Sequence, residues 1–299
     1  MYGAIIGDVV GSKYEFRPIK TKDFPFVSRG CEFTDDTVMT VAVARALMRA
    51  RAEGASFKAV LVAEMRELGR RYPAAGYGGR FSTWLGSPNP RPYNSFGNGS
   101  AMRVSPCGLI AVDLDEALAL ARTSAEVTHD HPEGVRGAQA TAAAVYLAKS
   151  GYGKQEIGDY LRANFYPLDR TLDEIRPGYS FDVTCQGSVP EAITCFLESE
   201  SYEDAVRNAV SLGGDADTQA AIAGSIAWAY YRVGDERGGM RLYCGPDTWP
   251  EWCGRTVSDC GIDGMLPDEF VKTVREFDVL CPHRFWAYDR MGMCKEIPL

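Results

Sequence analysis

Basic residues are in the minority in this sequence, which argues against one large class of function. Its 299 residues contain 32 lysines and arginines against 40 aspartates and glutamates, for a formal net charge of −8. Proteins that bind nucleic acid in general present a basic surface, so we expect no such activity here. This charge does not exclude a small anionic ligand held by backbone amides. The hydrophobic share of 45% indicates a folded globular chain.

Long hydrophobic runs and export signals are also lacking. The longest uncharged helix-like stretch covers residues 218–231, which is too short to span a bilayer. The N-terminus has no basic region, and Asp8 interrupts its apolar run. The nine cysteines include no C-x-x-C pair. We therefore predict reduced thiols in a cytoplasmic protein that does not associate with membranes. A small zinc site at Cys281 and His283 is the alternative, although no paired-ligand spacing supports it.

Strand patterns are few and short, whereas helical periodicity covers most of the chain. We therefore predict one all-α domain over residues 1–299, without a linker or repeat. Two long irregular segments, 76–98 and 169–188, interrupt the helices, and loops of this length in a compact domain tend to be functional. The predicted helices cover residues 1–15, 35–51, 57–71, 115–126, 132–148, 189–197, 202–211, 215–231 and 267–279.

The first predicted helix carries an unusual stripe of glycine. Gly3, Gly7 and Gly11 recur at four-residue spacing, so they share one helix face. Glycine disfavours a helix, and its presence here predicts that a neighbouring backbone packs closely against this face.

Two segments place several oxygen-bearing side chains at a predicted helix start. Either segment alone is compatible with ordinary helix capping, because Thr and Asp cap helices and acids favour the first turn. Capping needs one such side chain, however, and each segment supplies three within four residues. The six side chains are Thr34, Asp35 and Asp36 in the first segment and Asp215, Asp217 and Thr218 in the second.

If the two helix starts meet, they form a site of oxygen ligands without histidine or cysteine. Hard oxygen ligands select Mg²⁺, Ca²⁺ or Mn²⁺ over zinc or copper. The four carboxylates of this set would repel one another strongly without a cation, and two divalent cations would balance their charge. The sequence therefore predicts a two-metal site bridged by an aspartate.

Glu15 is the next candidate, at the predicted end of the first helix. Pro18 prevents that helix from running far beyond it, and Asp8 lies seven residues earlier on the same face. The helix dipole disfavours a carboxylate in the last turn, which hints at a functional reason for Glu15. A solvated surface acid is the alternative.

Two further segments combine polar residues with glycine or histidine. Residues 94–103 form a glycine-rich loop that leads into a helix, and such loops expose backbone N–H groups to phosphate oxygens. A plain turn is the alternative for this loop. The segment 128–132 holds two of the three histidines, and its ordinary interpretation is a helix cap at Asp130.

Taken together, these segments resemble the ADP-ribosylglycohydrolase family. The resemblance rests on GDVVGSKYE at 7–15, FTDDTVMT at 33–40, SFGNGSAMR at 95–103, Thr128-His129 and GGDADT at 213–218, in the family's order. It implies a compact, single-domain orthogonal helical bundle with a cleft for two Mg²⁺ ions, or Mn²⁺ in their place. No family motif follows Tyr231.

The resemblance also implies a role for individual residues. Thr34, Asp35 and Asp36 would hold the metals from one side and Asp215, Asp217 and Thr218 from the other, with Asp217 as the bridging ligand. Glu15 would activate the attacking water. Substrate binding would fall to Ser95, Phe96, Gly97, Asn98 and Gly99, which would cradle the pyrophosphate and distal ribose with Phe96 beside the adenine, and to His129.

The implied activity is Mg²⁺-dependent removal of ADP-ribose from a modified protein, by cleavage at the anomeric ribose carbon. The implied partners are ADP-ribose and the ADP-ribosylated protein, and we expect a monomer. The family includes serine-linked and arginine-linked specificities, and the segments 11–15 and 33–37 look somewhat closer to the serine-linked branch. Two alternatives remain: a non-catalytic relative that only binds ADP-ribose, and a Mg²⁺-dependent hydrolase of another ADP-ribose conjugate or of phosphate esters.

Overall fold

The computed structural model describes residues 1–234, 240–242, 262–281, 285–288 and 294–297. Helices dominate these residues, which confirms the predicted all-α fold. The helices are α1 (Tyr2–Ser12), α2 (Asp35–Glu53), α3 (Phe57–Arg71), α4 (Gly79–Gly86), α5 (Gly99–Met102), α6 (Ser105–Ile110), α7 (Leu114–Glu126), α8 (Pro132–Lys149), α9 (Lys154–Asn164), α10 (Leu172–Ile175), α11 (Cys185–Leu197), α12 (Tyr202–Val210), α13 (Ala216–Tyr231) and α14 (Asp268–Leu280), with a 3₁₀ helix at Asp263–Met265.

Strands are short and confined to two antiparallel pairs within the described residues. β1 (Arg232–Gly234) pairs with β2 (Met240–Leu242), and β3 (Phe285–Tyr288) pairs with β4 (Cys294–Ile297). None of the described helices combines the length and apolar character needed to cross a membrane.

The long irregular segments contain more helix than the sequence predicted. Helix α4 lies inside segment 76–98, and helix α10 and the first turn of α11 lie inside segment 169–188. Helix α11 begins at Cys185 because the Thr184 side chain caps it, accepting a hydrogen bond from the Gly187 N–H group. Helix α4 begins and ends with a glycine, and it escaped prediction because these residues disfavour a helix.

The first helix is shorter than predicted, and this changes the setting of Glu15. Helix α1 ends at Ser12, and the Tyr14 N–H group donates to the Gly11 carbonyl in the turn that follows. Glu15 therefore lies in that turn and not in the last turn of the helix. The helix-dipole argument for Glu15 was therefore wrong. The residues around Glu15 are what support a functional role for it.

The glycine stripe packs α1 directly against α13, as predicted. A Cβ atom at Gly7 would lie 2.1 Å from the carbonyl oxygen of Ala220, and one at Gly11 would lie 2.4 Å from that of Ala216. At Gly3 a Cβ would meet the Cβ of Trp228 at 2.2 Å. This close approach joins the start of the chain to a helix some 200 residues later.

Helix α14 adds to the same core from beyond the recognised motifs. The Phe270 ring lies 5.7 Å from the Phe33 ring and 4.7 Å from the Tyr72 ring, measured between centroids. Phe33 directly precedes Thr34, so these rings pack behind the start of α2. The prediction of one domain over 1–299 stays a prediction, since residues 243–261 lie outside the described part.

The segment between α1 and α2 carries Glu15 and is held at several points. The Lys20 ammonium group donates to the carbonyls of Arg176, at 2.9 Å, and of Tyr179 and Leu212, each at 2.5 Å. The Arg207 guanidinium donates to the carbonyls of Lys22 and Phe24, at 2.8 and 2.7 Å. These contacts tie the segment to helix α12 and the residues around it.

Candidate active site

The two oxygen-rich helix starts meet in the structure, as the sequence predicted. The Thr218 hydroxyl at the start of α13 donates to Asp36 Oδ2 at the start of α2, over 3.2 Å. Thr34 is the N-cap of α2, and its hydroxyl oxygen accepts a hydrogen bond from the Asp36 N–H group at 3.3 Å. The capping and the clustered acids therefore coexist, because Thr34 caps the helix and the aspartates after it remain available.

Carboxylates converge in two overlapping groups. One oxygen from each of Asp8, Asp36 and Asp217 lies within 4.8 Å of the others, and the same holds for Glu15, Asp215 and Asp217. Asp217 belongs to both groups, which is the position that a bridging ligand needs. Asp35 lines the same cleft but stands outside both groups.

Crowding and burial disfavour ionisation of these acids. Burial raises the pKa of Asp8 to about 6 and that of Asp215 to about 6, although hydrogen bonds to each carboxylate oppose the shift. Burial raises the pKa of Glu15 to about 8, helped by the negative charge of Asp217 and by a hydrogen bond that protonated Glu15 donates to Asp217. Burial and the neighbouring carboxylates likewise raise the pKa values of Asp35, Asp36 and Asp217 well above the ordinary range.

The donor set fits a hard divalent cation. Asp36 is 2% exposed, and its Oδ1 atom is buried with no hydrogen-bond partner. A buried carboxylate oxygen without a partner is costly, and a cation would satisfy it. Every candidate ligand is oxygen, which suits Mg²⁺, Mn²⁺ or Ca²⁺ and not a thiophilic metal.

Asp8 is the acid that the sequence analysis left out of the site. It is fully buried on α1, and both of its oxygens accept hydrogen bonds from the start of α2. Thr34 donates from its N–H group at 2.9 Å and its hydroxyl at 2.7 Å, and Thr37 donates from the same two groups at 3.1 and 2.5 Å. The available signals were a carboxylate inside an apolar helix and its seven-residue spacing from Glu15.

The glycine-rich loop lies beside the acids and is connected to them. The Asn98 side-chain amide donates to Asp215 Oδ2 at 2.7 Å and to the Ser188 hydroxyl at 3.2 Å. Gly97 forms a β-bridge with Thr184, and the Asn98 N–H group donates to the Val183 carbonyl at 2.8 Å. No sequence pattern predicted this pairing between segments 76–98 and 169–188.

His129 lies under this loop as a neutral side chain. Burial, and then the charges of Arg103 and Arg80, hold its pKa well below the ordinary range. The Thr128 hydroxyl accepts a hydrogen bond from Arg103 at 2.8 Å, so its own hydrogen is free to bond His129 Nδ1, 2.7 Å away. With Thr128 as the donor in this pair, the imidazole hydrogen is on Nε2, which faces Gly97 and Gly99.

The helix cap of the predicted binding segments differs from expectation, and the role of Phe96 stays a prediction. His131, not Asp130, is the N-cap of α8, because its Nδ1 accepts from the Glu133 N–H group at 3.1 Å. Asp130 instead accepts from the Asn94 N–H group at 2.7 Å. Phe96 is 42% exposed, its ring lies 5.3 Å from that of His131, and it is absent from the residues that line the cleft.

The acids and the loop share one open cleft of about 390 Å³. Residues of segment 76–81 and Tyr93 also line the cleft, and they belong to the long segment 76–98 for which the sequence indicated a function. Ser95 lines the cleft, and its hydroxyl accepts from the Gly97 N–H group at 3.2 Å. The lining residues are Glu15, Asp35, Asp36, Met39, Gly76, Gly78, Gly79, Arg80, Phe81, Tyr93, Ser95, Gly97, Asn98, Gly99, Met102, Arg103, His129, Phe181, Val183, Asp215, Asp217 and Thr218.

The alternative zinc site at Cys281 and His283 lies partly outside the described residues. Cys281 is buried, and its thiol donates to the Phe277 carbonyl at 3.4 Å, whereas His283 lies outside the described residues. Cys31, Cys107, Cys185 and Cys195 are buried free thiols.

The fold and site define an all-helical protein with an acidic cleft for hard cations and an adjoining glycine-rich loop. Known proteins share this fold. The sequence profile of the ADP-ribosylglycohydrolase family matches residues 1–235. The chain therefore belongs to the ADP-ribosylglycohydrolase family, and the expectation of a glycosyl-bond hydrolase is confirmed at that level.

Individual relatives agree with this assignment. ADP-ribosylhydrolase ARH3 of Bos taurus is 28% identical over 333 residues, covering 84% of this chain and 86% of that protein. ADP-ribosylarginine hydrolase Tri1 of Pseudomonas putida (strain GB-1) is 28% identical over 266 residues, covering 78% and 70%. A solved structure, an ADP-ribosylglycohydrolase-related protein complex, superposes with a TM-score of 0.61 at 22% identity over 93% of each chain, which supports the fold.

Proposed function

We propose that this protein removes ADP-ribose from a modified protein by hydrolysing the bond at the anomeric ribose carbon, with two Mg²⁺ ions as cofactor. The observation that carries the proposal is the position of Asp217, which belongs to both carboxylate groups and lies beside Glu15. The names of relatives in the family support an ADP-ribose conjugate as substrate.

The described residues would hold the cations from two sides. Thr34, Asp35 and Asp36 contribute from the start of α2, and Asp215, Asp217 and Thr218 contribute from the start of α13. Bound divalent cations would orient the ribose hydroxyls and a water molecule and would offset the repulsion among the carboxylates. Among the proposed ligand atoms, Asp36 Oδ1 has the strongest support, because it is buried and has no hydrogen-bond partner.

Glu15 is the residue that we assign to proton transfer. Its carboxyl group is half-buried, lies next to Asp217 and lines the cleft. It accepts a proton from the attacking water while the anomeric carbon gains positive charge, as in other glycoside hydrolysis. The neighbouring carboxylates favour that developing charge. With a pKa of about 8 Glu15 is mostly protonated at neutral pH in the absence of cations, and bound cations would lower this pKa and leave a carboxylate that can take up the proton.

The glycine-rich loop supplies binding for the remainder of the ligand. Asn98 links the loop to Asp215, so the loop and the acids keep a fixed spacing. His129 presents its Nε2 hydrogen from beneath Gly97 and Gly99, where a ligand oxygen would accept it. We also propose a monomer and a cytoplasmic location, and the buried free thiols of Cys31, Cys107, Cys185 and Cys195 support the location.

A release assay tests the proposed function. Proteins ADP-ribosylated on arginine and, separately, on serine are incubated with the protein in Mg²⁺ or in EDTA, and free ADP-ribose and inorganic phosphate are measured. We expect Mg²⁺-dependent release of ADP-ribose from one of the two substrates. Release of inorganic phosphate alone would instead support a phosphate-ester hydrolase.

Two variants separate catalysis from binding. Glu15→Gln should abolish the release of ADP-ribose from the modified protein. Free ADP-ribose should still bind this variant and raise its melting temperature. Glu32→Gln, a change at an exposed acid on the same segment, should behave like the wild type. Binding of ADP-ribose without release by the wild type would favour a non-catalytic relative, and full activity of Glu15→Gln would remove Glu15 from the mechanism.

A further inference from the structure

The cleft is lined by more carboxylates than cationic side chains, so a negatively charged substrate needs specific groups that offset its charge. Its lining contains five carboxylates, from Glu15, Asp35, Asp36, Asp215 and Asp217, and two arginines. Two divalent cations would carry four positive charges, which offset these carboxylates without leaving an excess. The two negative charges of a diphosphate therefore need cationic or N–H groups elsewhere in the cleft.

Arg103 and His129 do not supply that charge. Arg103 is 1% exposed and donates inward, to the Ser124 carbonyl and the Thr128 hydroxyl, each at 2.8 Å. His129 is held neutral by burial, as described above. Of the cationic side chains that line the cleft in the described chain, Arg80 is the one whose charge is accessible.

Arg80 is held in place by Tyr93. Its Cζ atom lies 4.9 Å from the centre of the Tyr93 ring, and one guanidinium N–H group donates to the Tyr93 carbonyl. Tyr93 is itself fixed, because its N–H group donates to the Thr128 carbonyl at 3.2 Å and its ring lies 5.9 Å from that of His129. A stacked arginine loses little freedom when it binds an anion, so this arrangement favours recognition.

The space in front of Arg80 is open. Cβ atoms placed on Gly78 and Gly79 would meet no atom within 4 Å, so the adjacent backbone leaves room for a ligand. Arg80 also borders a neighbouring cavity of about 360 Å³, where Arg91 is a second arginine. Arg91 does not line the cleft itself, which makes it a matched control.

We propose that Arg80, stacked on Tyr93, binds the pyrophosphate of the substrate and selects for ligands that carry it. The inference rests on the proposed function, which supplies ADP-ribose as the ligand. Arg80 lines the same cleft as the glycine-rich loop, so both can contribute to binding of the pyrophosphate. The guanidinium donates in-plane N–H groups to the phosphate oxygens.

Calorimetric binding to the full-length protein in Mg²⁺ tests this role. We expect Arg80→Ala to raise the Kd of ADP-ribose and of ADP by about 10- to 100-fold, and the Kd of adenosine by less than about twofold. Arg80→Lys should be intermediate, because it keeps the charge but loses the planar group. Arg91→Ala should leave all three Kd values within about twofold of the wild type. The ratio of the ADP-ribose Kd of Arg80→Ala to that of the wild type should decrease as the NaCl concentration rises from ~50 to ~500 mM.

The outcomes distinguish this inference from the proposed function. Unchanged Kd values of ADP-ribose and ADP in Arg80→Ala would overturn the inference while the proposed function stands. Equal weakening of adenosine and ADP would also overturn it, because Arg80 would then contact the base. If the wild type binds neither ADP-ribose nor ADP, the proposed function fails and the inference fails with it. The melting temperature of each variant without ligand serves to exclude misfolding.

Discussion

Asp8 and Thr34 are joined by two hydrogen bonds, one to each oxygen of the buried carboxylate. The Thr34 N–H group donates to Oδ2 at 2.9 Å and its hydroxyl donates to Oδ1 at 2.7 Å. A single acid on α1 thus determines where α2 begins, and with it where Asp35 and Asp36 point. Asp8 thus holds the start of α2 in position. One of its oxygens also lies within 4.8 Å of an oxygen of Asp217, so the two carboxylates repel each other when both are ionised.

We predict that Asp8→Asn weakens both the fold and cation binding. An asparagine amide presents donors to the donors of Thr34 and Thr37, which costs about 1–3 kcal/mol of unfolding free energy. Loss of this support should raise the Kd of Mg²⁺ by about 10- to 100-fold. Thermal melts and Mg²⁺ titrations measure the two effects, with Asp23→Asn at an exposed position as the control. An unchanged Kd with a lowered melting temperature would limit Asp8 to a folding role.

The crowded acids make the stability of the metal-free protein depend on pH. Asp8, Asp215 and Glu15 have pKa values of about 6, 6 and 8 in the folded protein, above their ordinary values. The folded state therefore binds more protons than the unfolded state between about pH 4 and 8, and the free energy of unfolding falls as the pH rises. We expect the melting temperature in EDTA to fall between about pH 5 and 8.

Excess Mg²⁺ should suppress that fall, because the cations stabilise the ionised carboxylates. The stabilisation by Mg²⁺ should accordingly grow with pH. A melting temperature in EDTA that stays constant over this range would contradict the account of mutual repulsion among the acids.

The packing of α1 against α13 predicts a severe effect of a single methyl group. Gly7→Ala places a Cβ atom 2.1 Å from the Ala220 carbonyl oxygen, so the helices must move apart. We expect a loss of about 3 kcal/mol or more of unfolding free energy. Gly86→Ala is the control, because its Cβ meets no atom within 4 Å at the end of α4. Denaturant melts compare the two, and similar stabilities would argue against the close helix contact.

An exposed aromatic pair at the cleft predicts an effect on protein substrates. Phe16 directly follows Glu15 and is 79% exposed, and its ring lies 6.2 Å from that of Phe181, which lines the cleft. Replacing both with alanine should change the free energy of unfolding by less than about 0.5 kcal/mol. We expect the KM for an ADP-ribosylated protein to rise about threefold or more, because large exposed rings contribute to recognition.

Steady-state kinetics with an ADP-ribosylated protein measure that effect, and Val279→Ala is the control at an 81% exposed apolar residue on α14. Unaltered KM in the double variant would indicate that the acceptor protein does not contact these rings.

The parts of the site that the sequence revealed are local in the chain. Thr34 and the aspartates after it lie within one turn of a helix, where capping and acid clustering follow from neighbouring residues alone. Arg80 and the bridge between Gly97 and Thr184 escaped notice because irregular segments bring them to the cleft. No periodicity marks such contacts, since they depend on how distant loops pack.

The placement of Glu15 shows the same limit. Its identity as a candidate followed from the chain around it, but its true setting, in a turn after α1, depends on where the helix ends. Helix ends are set by small energy differences among caps and turns, which sequence patterns locate poorly. The anchoring of its segment by Lys20 and Arg207 involves partners more than 150 residues away.

The contact between Thr218 and Asp36 spans 182 positions of the chain, and this separation bears on biosynthesis. A ribosome makes α1 and the first half of the ligand set long before α13 exists. Until α13 emerges, the glycine-striped α1 lacks the surface that covers it, and a short helix rich in glycine does not persist alone. A chain stopped before residue 215 therefore carries half of the proposed ligand set and an uncovered first helix, so ligand-dependent stabilisation distinguishes finished chains from interrupted ones.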